Sequence, residues 1–291
     1  MKNRLAATSP QVEGVVGAKA CVSLRRPSVL LASLVGAGIA LGVALYHQST
    51  PETARHAGPE ALIDRFEKVA FRDDVTPETE RELFRHRLTR WEYPLRLGFS
   101  NVASEVRGQA ANFTQELEKL IGRRVWIVSP ASITSPNIRI VLPSKKEYEH
   151  KFFLLKEKNI LRRGIEHYAC FVNFVKNKKE YHPRIDVVFS PLAEDSDYLN
   201  CILEEIIQSL GLMGDTVQDF DSLFVEHRAL RLDFPLNDKI LLRTLYDPRL
   251  SDGMPREQAM IRVREIIPEL LAAYEAEGLE GLYQPLRDPS W

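Results

Sequence analysis

From Pro27 to Tyr46 the chain reads PSVLLASLVGAGIALGVALY, without one charged residue. As a helix this run is about 30 Å long, enough to cross the hydrocarbon core of a bilayer. Its N-terminal flank carries Lys2, Arg4, Lys19, Arg25 and Arg26 against Glu13. On the far side Arg55 and Arg65 are mixed with Glu52, Glu60 and Asp64. The positive-inside rule then makes 1–26 a cytoplasmic tail and carries the rest across the membrane. The exit Val43-Ala44-Leu45-Tyr46-His47 lacks a small-x-small cleavage pattern, and no Cys follows that could be lipidated. An uncleaved signal anchor over 27–46 is therefore expected, with secretion to the periplasm after cleavage as the alternative. The expected place is the inner membrane, single-pass, with the C-terminal domain periplasmic.

Taken whole, the chain has the composition of a folded protein, with 44% hydrophobic and 27% charged residues. That excludes a disordered bulk. Three Cys are too few for a disulfide scaffold, and a net charge of -1 gives no reason to expect a nucleic-acid partner. Residues 47–60 (HQSTPETARHAGPE) lack periodicity and read as a linker. One extracytoplasmic domain, 61–291, is left.

Within it, Leu62, Ile63, Phe66, Val69 and Ala70 recur at helical spacing. Thr76-Pro77-Glu78 signals a second helix running to about Thr89. YPLRLGF is a short alternating strand, and the following NVASEVRGQAANFTQELEKLIG is an amphipathic helix stopped by Gly122. RVWIVS, NIRIVLP, HYACFVNFV and PRIDVVFS read as four further strands. SDYLNCILEEIIQSLGL is a helix ended by Gly211, followed by a long irregular stretch from Leu212 to Leu236. Helices at NDKILLRTLY and from Pro255 to about Gly278 complete an α+β fold: a mixed sheet of about five strands behind one transmembrane helix.

The stretch Glu204-Glu205-Ile206-Ile207-Gln208 carries the candidate chemistry. In HExxH zinc peptidases two His one helical turn apart bind the metal and the intervening Glu is the general base. Here Glu205 fills the base position, whereas Glu204 and Gln208 occupy the ligand positions. Gly214 stands at the third ligand position of the longer pattern, with Asp215 one place later. The alternative is that Glu204, Glu205 and Gln208 form the solvated face of an amphipathic helix.

On these residues the chain resembles a degenerate member of the metzincin zinc peptidases, nearest the matrixin-like branch. Asp221-Ser222-Leu223-Phe224 resembles the family's Met-turn with Phe224 in place of Met, and Asn237 to Tyr246 resembles its closing helix. More narrowly, RW…P, a Cys before EExxQxLGL, DSLF, LLRTLYDPRL and GM resemble a bacterial family known as domain of unknown function 2927, whose members are often described as lipoprotein-like. The resemblance spans about Phe66 to Met260. It implies an active-site-type helix beside the sheet, a substrate cleft, and an edge strand at Ala169–Val175 able to pair with an extended peptide. Zinc prefers His or Cys, so a Glu/Gln pair without a third ligand implies no zinc, no other cofactor and no resident metal site. The expected function is a non-catalytic peptide- or protein-binding domain of the cell envelope. The alternative is a hydrolase using Glu205 as general base with an oxygen-ligand metal site.

Cys170 and Cys201 both follow the anchor, so an oxidising compartment would allow them to pair; two buried free thiols are the alternative. Cys21 should stay in the reducing cytoplasm. From Lys145 to Arg184 eleven Lys and Arg face five Glu, read as a solvated insertion or a surface for an acidic partner. Among the seven His only His227 is expected near the cleft, and Ser209 and Ser222 lack a triad setting.

Overall fold

Alternating large apolar residues along short β-branched runs leave one sheet face to be covered, and amphipathic helices cover it. The computed structural model describes residues 14–17, 56–71, 85–129, 135–150, 170–175, 184–190, 195–214, 222–224 and 234–286. Among these, the strands are β1 (Gly14–Gly17), β2 (Leu95–Ser100), β3 (Val125–Val128), β4 (Ile138–Val141), β5 (Cys170–Val175) and β6 (Arg184–Phe189). The helices are α1 (Pro59–Phe71), α2 (Ser104–Ile121), α3 (Asp195–Ser209), α4 (Leu236–Leu245) and α5 (Arg256–Glu277), the last followed by a 3-10 turn, Gly278–Leu282.

The sheet order is β1-β5-β6-β4-β2-β3. Four strands, β6, β4, β2 and β3, are mutually parallel, while β5 and β1 are antiparallel to their neighbours. Register follows the apolar pattern. Leu97, Ile138 and Ile185 form one row across the parallel strands, and Phe99, Ile140 and Val187 the next. All six are buried and pack in one core with Val106, Ala110, Phe113 and Leu117 of α2 and Ile202, Ile206 and Ile207 of α3. On the opposite face Arg139 of β4 holds Asp186 of β6 through two bonds of 3.0 and 2.7 Å, which lets the Asp lie buried.

Most elements fall where the pattern puts them. Gly122 adopts φ 63° and its N–H bonds Glu118 O at 2.8 Å, the expected left-handed stop. Pro255 caps α5 and Gly278 ends it. The expected helix from Thr76 to Thr89 falls largely outside the described residues, which show only Arg85 and His86 as helical. The sheet has six described strands rather than about five. The addition, β1, is Gly-Val-Val-Gly, too short to show alternation and flanked by glycines that usually argue against a strand.

Among the described residues no helix is long and apolar enough to cross a membrane, and the expected span 27–46 lies outside them. The β1–β5 pairing has a topological consequence. A chain crossing the bilayer at 27–46 has residues 14–17 on one side and 170–175 on the other. Pairing and crossing exclude each other within one chain at one time.

Candidate functional site

Helix α3 buries Ile202, Leu203, Ile206, Ile207 and Leu210 against the sheet. Its polar positions are not a solvated face: Glu205 is 3% exposed and Gln208 4%. Glu204 and Gln208, one turn apart, meet, and Gln208 Nε2 donates to Glu204 Oε1 at 3.1 Å. Glu205 projects about 100° round the helix from Glu204. Its Oε1 lies 3.4 Å from Sγ of Cys170, at the start of β5. Cys170 is disulfide-bonded. A disulfide sulfur carries no proton to donate, so this is a packing contact and not a donated hydrogen bond. Cys201 lies on α3 four residues before Glu205, and its side chain is outside the described set.

The structure thus brings Glu204 to Gln208 and Glu205 to the Cys170 sulfur, as two separate contacts. Asp215 and His227 lie outside the described residues. Phe224 is wholly buried, and its N–H bonds Ser222 Oγ at 3.1 Å. The neighbouring Leu223 N–H bonds Asp238 Oδ2 at 2.5 Å, so the Met-turn-like segment is fastened to the start of α4. Among the described residues no group of three His, Cys, Asp or Glu side chains is placed to hold a metal ion.

The exit from α3 is clamped from three directions. Trp91 Nε1 donates to Ser209 O at 2.7 Å and Tyr246 Oη to Leu210 O at 3.2 Å, satisfying carbonyls that the helix end leaves open. Gly211 sits at φ +122°, where an added Cβ would stand 1.9 Å from Thr89 O. Gly214 N–H bonds Val69 O of α1 at 2.8 Å.

Behind the clamp, Arg90 donates through Nη1 to Leu245 O and Asp247 O, at 2.9 and 3.0 Å, and through Nε to Glu92 at 2.8 Å. Arg123 reaches the same Glu92 at 2.7 Å, and Asp252 N–H donates to it at 3.0 Å. Burial alone would raise the Glu92 pKa. The hydrogen bonds of Arg90 and the Asp252 backbone, with the charges of Arg90 and Arg123, outweigh it and hold the carboxyl below its ordinary value. Asp247 follows the same logic: burial raises, but bonds from Arg249 and the charges of Arg243 and Arg249 leave it lowered. Burial pushes the Tyr246 hydroxyl far up, so it stays a neutral donor.

Arg90, Trp91, Tyr246 and Asp247 belong to the RW and LLRTLYDPRL motifs. Sequence reasoning misses their structural role, although Arg and Trp beside a helix end carry a readable signal: once buried, both demand partners.

Fold and site together define a mixed α+β domain with a parallel core, an antiparallel edge, and a helix packed on that edge that buries Glu205, Gln208 and Ser209. The family model described as a protein of unknown function (DUF2927) matches residues 59–265, and the chain belongs to that family. That span starts at α1 and ends within the first half of α5, so β1 lies outside it. Searches among curated proteins and among solved structures gave no match.

Proposed function

We propose that this protein is a membrane-tethered domain of the cell envelope, metallopeptidase-like in fold, which binds a peptide or protein partner without cutting it. The observation that carries the non-catalytic part is the engagement of the three candidate residues. Glu204 and Gln208 bond each other, and Glu205 is packed on the Cys170 sulfur. A general base needs the proton it takes within about 3 Å, directly or through one water. Among the described residues, the order strand, helix, four strands, helix, helix supports the metzincin-like reading from β2 onward. Strand β5, antiparallel and outermost once β1 is set aside, supports strand addition as the binding mode.

The disulfide at Cys170 supports an oxidising compartment, hence export of the domain. Its partner in this reading is Cys201, on the helix that packs on β5. Residues 27–46 are the tether, and in the tethered chain residues 14–17 and 170–175 lie on opposite sides of the bilayer, so the β1–β5 pairing is not made there.

Elemental analysis of the full chain in nanodiscs, paired with a peptide-cleavage assay, tests the reading. The expected result is no stoichiometric transition metal and no cleavage. Stoichiometric metal, or cleavage lost on Glu205→Gln, would overturn it in favour of a hydrolase with Glu205 as base.

A further inference from the structure

We propose that β3 is the seat of a homodimer, in which two copies of the chain join antiparallel along this edge, two-fold about Ile127, into one continuous sheet. The contact uses the end of the sheet opposite β5 and is independent of the peptide-binding reading above.

β3 is the outermost strand at its end of the sheet and pairs with β2. The ladder fixes which of its backbone groups look outward. Leu95 N–H donates to Arg124 O at 3.1 Å, and the parallel register sets Leu95 beside Val125 and Leu97 beside Ile127. In such a ladder the bonds of Leu95 and Leu97 go to Arg124, Trp126 and Val128, so Val125 and Ile127 turn their N–H and C=O away from the sheet. Glu118 Oε1, reaching from α2, meets the Val125 N–H there at 2.8 Å. Among the described residues nothing bonds Ile127 on that side.

The side chains are as open as the backbone. Trp126 and Ile127 are each 44% exposed, and strand alternation puts them on opposite faces of the sheet. Edge strands are ordinarily protected by Lys, Pro or a bulge. Val125–Val128 is VWIV in regular register with β2, so it has none of these. A strand that joins this edge must therefore be apolar on both faces and uncharged at its middle.

The β3 strand of a second copy meets that demand, and a two-fold axis makes the match reciprocal. With Ile127 opposite its own copy, each Ile127 N–H donates to the other's C=O, and Trp126 lies opposite Val128. Glu118, seated on the Val125 N–H, closes the ladder there and so sets the axis on Ile127 rather than on Trp126. Charge selects the antiparallel sense. Two parallel copies would stack Arg124 on Arg124, whereas the two-fold places them six positions, about 20 Å, apart, beyond the range of unscreened repulsion.

Ile127→Cys in the full chain carrying Cys21→Ser tests the axis, because only a residue on it meets its own copy. A hydrogen-bonded antiparallel pair has Cα atoms about 5.5 Å apart, within reach of a disulfide. Mild oxidation of the detergent-purified chain is expected to give a covalent dimer. Its yield should exceed that of Ile261→Cys, 59% exposed on α5, by about tenfold, since docked thiols meet at a far higher effective concentration than colliding ones. Adding Trp126→Lys, which puts a protecting charge on the edge, should cut the Ile127→Cys yield by about tenfold and leave the melting temperature nearly unchanged.

A yield no higher than that of Ile261→Cys, or one that Trp126→Lys leaves unaltered in a chain that still melts normally, would overturn the proposal. So would an introduced thiol shielded by a different chain with no homodimer formed, which would assign the edge to a foreign strand.

Discussion

Arg90 is the side chain whose loss should tell most about how the candidate helix is held. Its side chain is 3% exposed, and the guanidinium joins three things: the carbonyls of Leu245 and Asp247 at the end of α4, the carboxylate of Glu92, and the face of Tyr246, 5.7 Å from the ring centroid. Arg90→Met keeps most of the stem volume and removes every polar contact. Glu92 is not orphaned, because Arg123 and the Asp252 N–H still hold it. Of the two carbonyls, Asp247 O keeps the Leu250 N–H at 3.0 Å, whereas Leu245 O loses its Arg90 donor. Breaking one side of a buried charged network costs about 3–5 kcal/mol, and the bond lost at the Leu245 carbonyl accounts for about 1–3 kcal/mol of that. For a domain of this size that is a fall in Tm of roughly 10 °C. Urea unfolding followed by tryptophan fluorescence, with Trp91 in the clamp, should show a lower midpoint with an unchanged slope. Glu92→Gln should cost less, and the double variant less than the sum by about 1–3 kcal/mol, since the two side chains touch. Arg90→Met within about 0.5 kcal/mol of the parent chain, the range of ordinary surface changes, would refute the reasoning, as would strict additivity with Glu92→Gln.

Further expectations rest on other features. Glu92 and Asp247 both have folded-state pKa values below their ordinary 4.5 and 3.8. Their contribution is therefore present in full above about pH 4.5 and is lost as pH falls through the lowered values. Stability measured from pH 7 downward should hold and then drop on that limb, and Glu92→Gln should flatten the drop; an identical limb in the variant would contradict the assignment. Gly211→Ala should cost about 3 kcal/mol or more, combining backbone strain at φ +122° with a Cβ forced against Thr89 O; a neutral result in a melting assay would show that the α3 exit is not clamped. Non-reducing peptide mapping should link Cys170 to Cys201 and leave Cys21 free. Reducing that bond should cost roughly 3–4 kcal/mol for a loop of about 30 residues; two free thiols would end the pairing.

Local pattern makes much of this fold legible in the amino-acid sequence. Gly122, Gly211 and Pro255 mark ends of α2, α3 and α5 because each needs only its own backbone chemistry to act. The β runs are readable because a buried row such as Leu97, Ile138 and Ile185 forces period-two spacing in every strand that joins it. What stays hidden depends on distant partners. Nothing within four residues of Arg90 says that its guanidinium reaches Leu245, and nothing near Glu205 says that its carboxyl meets the Cys170 sulfur. β1 is invisible for another reason: a four-residue strand bounded by glycines exists only because β5 offers it a ladder.

Binding without cutting is the central claim, and one mass measurement reaches it most directly. A labelled synthetic peptide of residues 10–20, which contains the Gly14–Gly17 strand that pairs with β5, is incubated with the membrane-inserted chain, separated as the bound fraction, and weighed. The account predicts saturable binding with the peptide mass unchanged, alike with and without a chelator. Shortened fragments that vanish on Glu205→Gln, or no bound peptide at all, would contradict it.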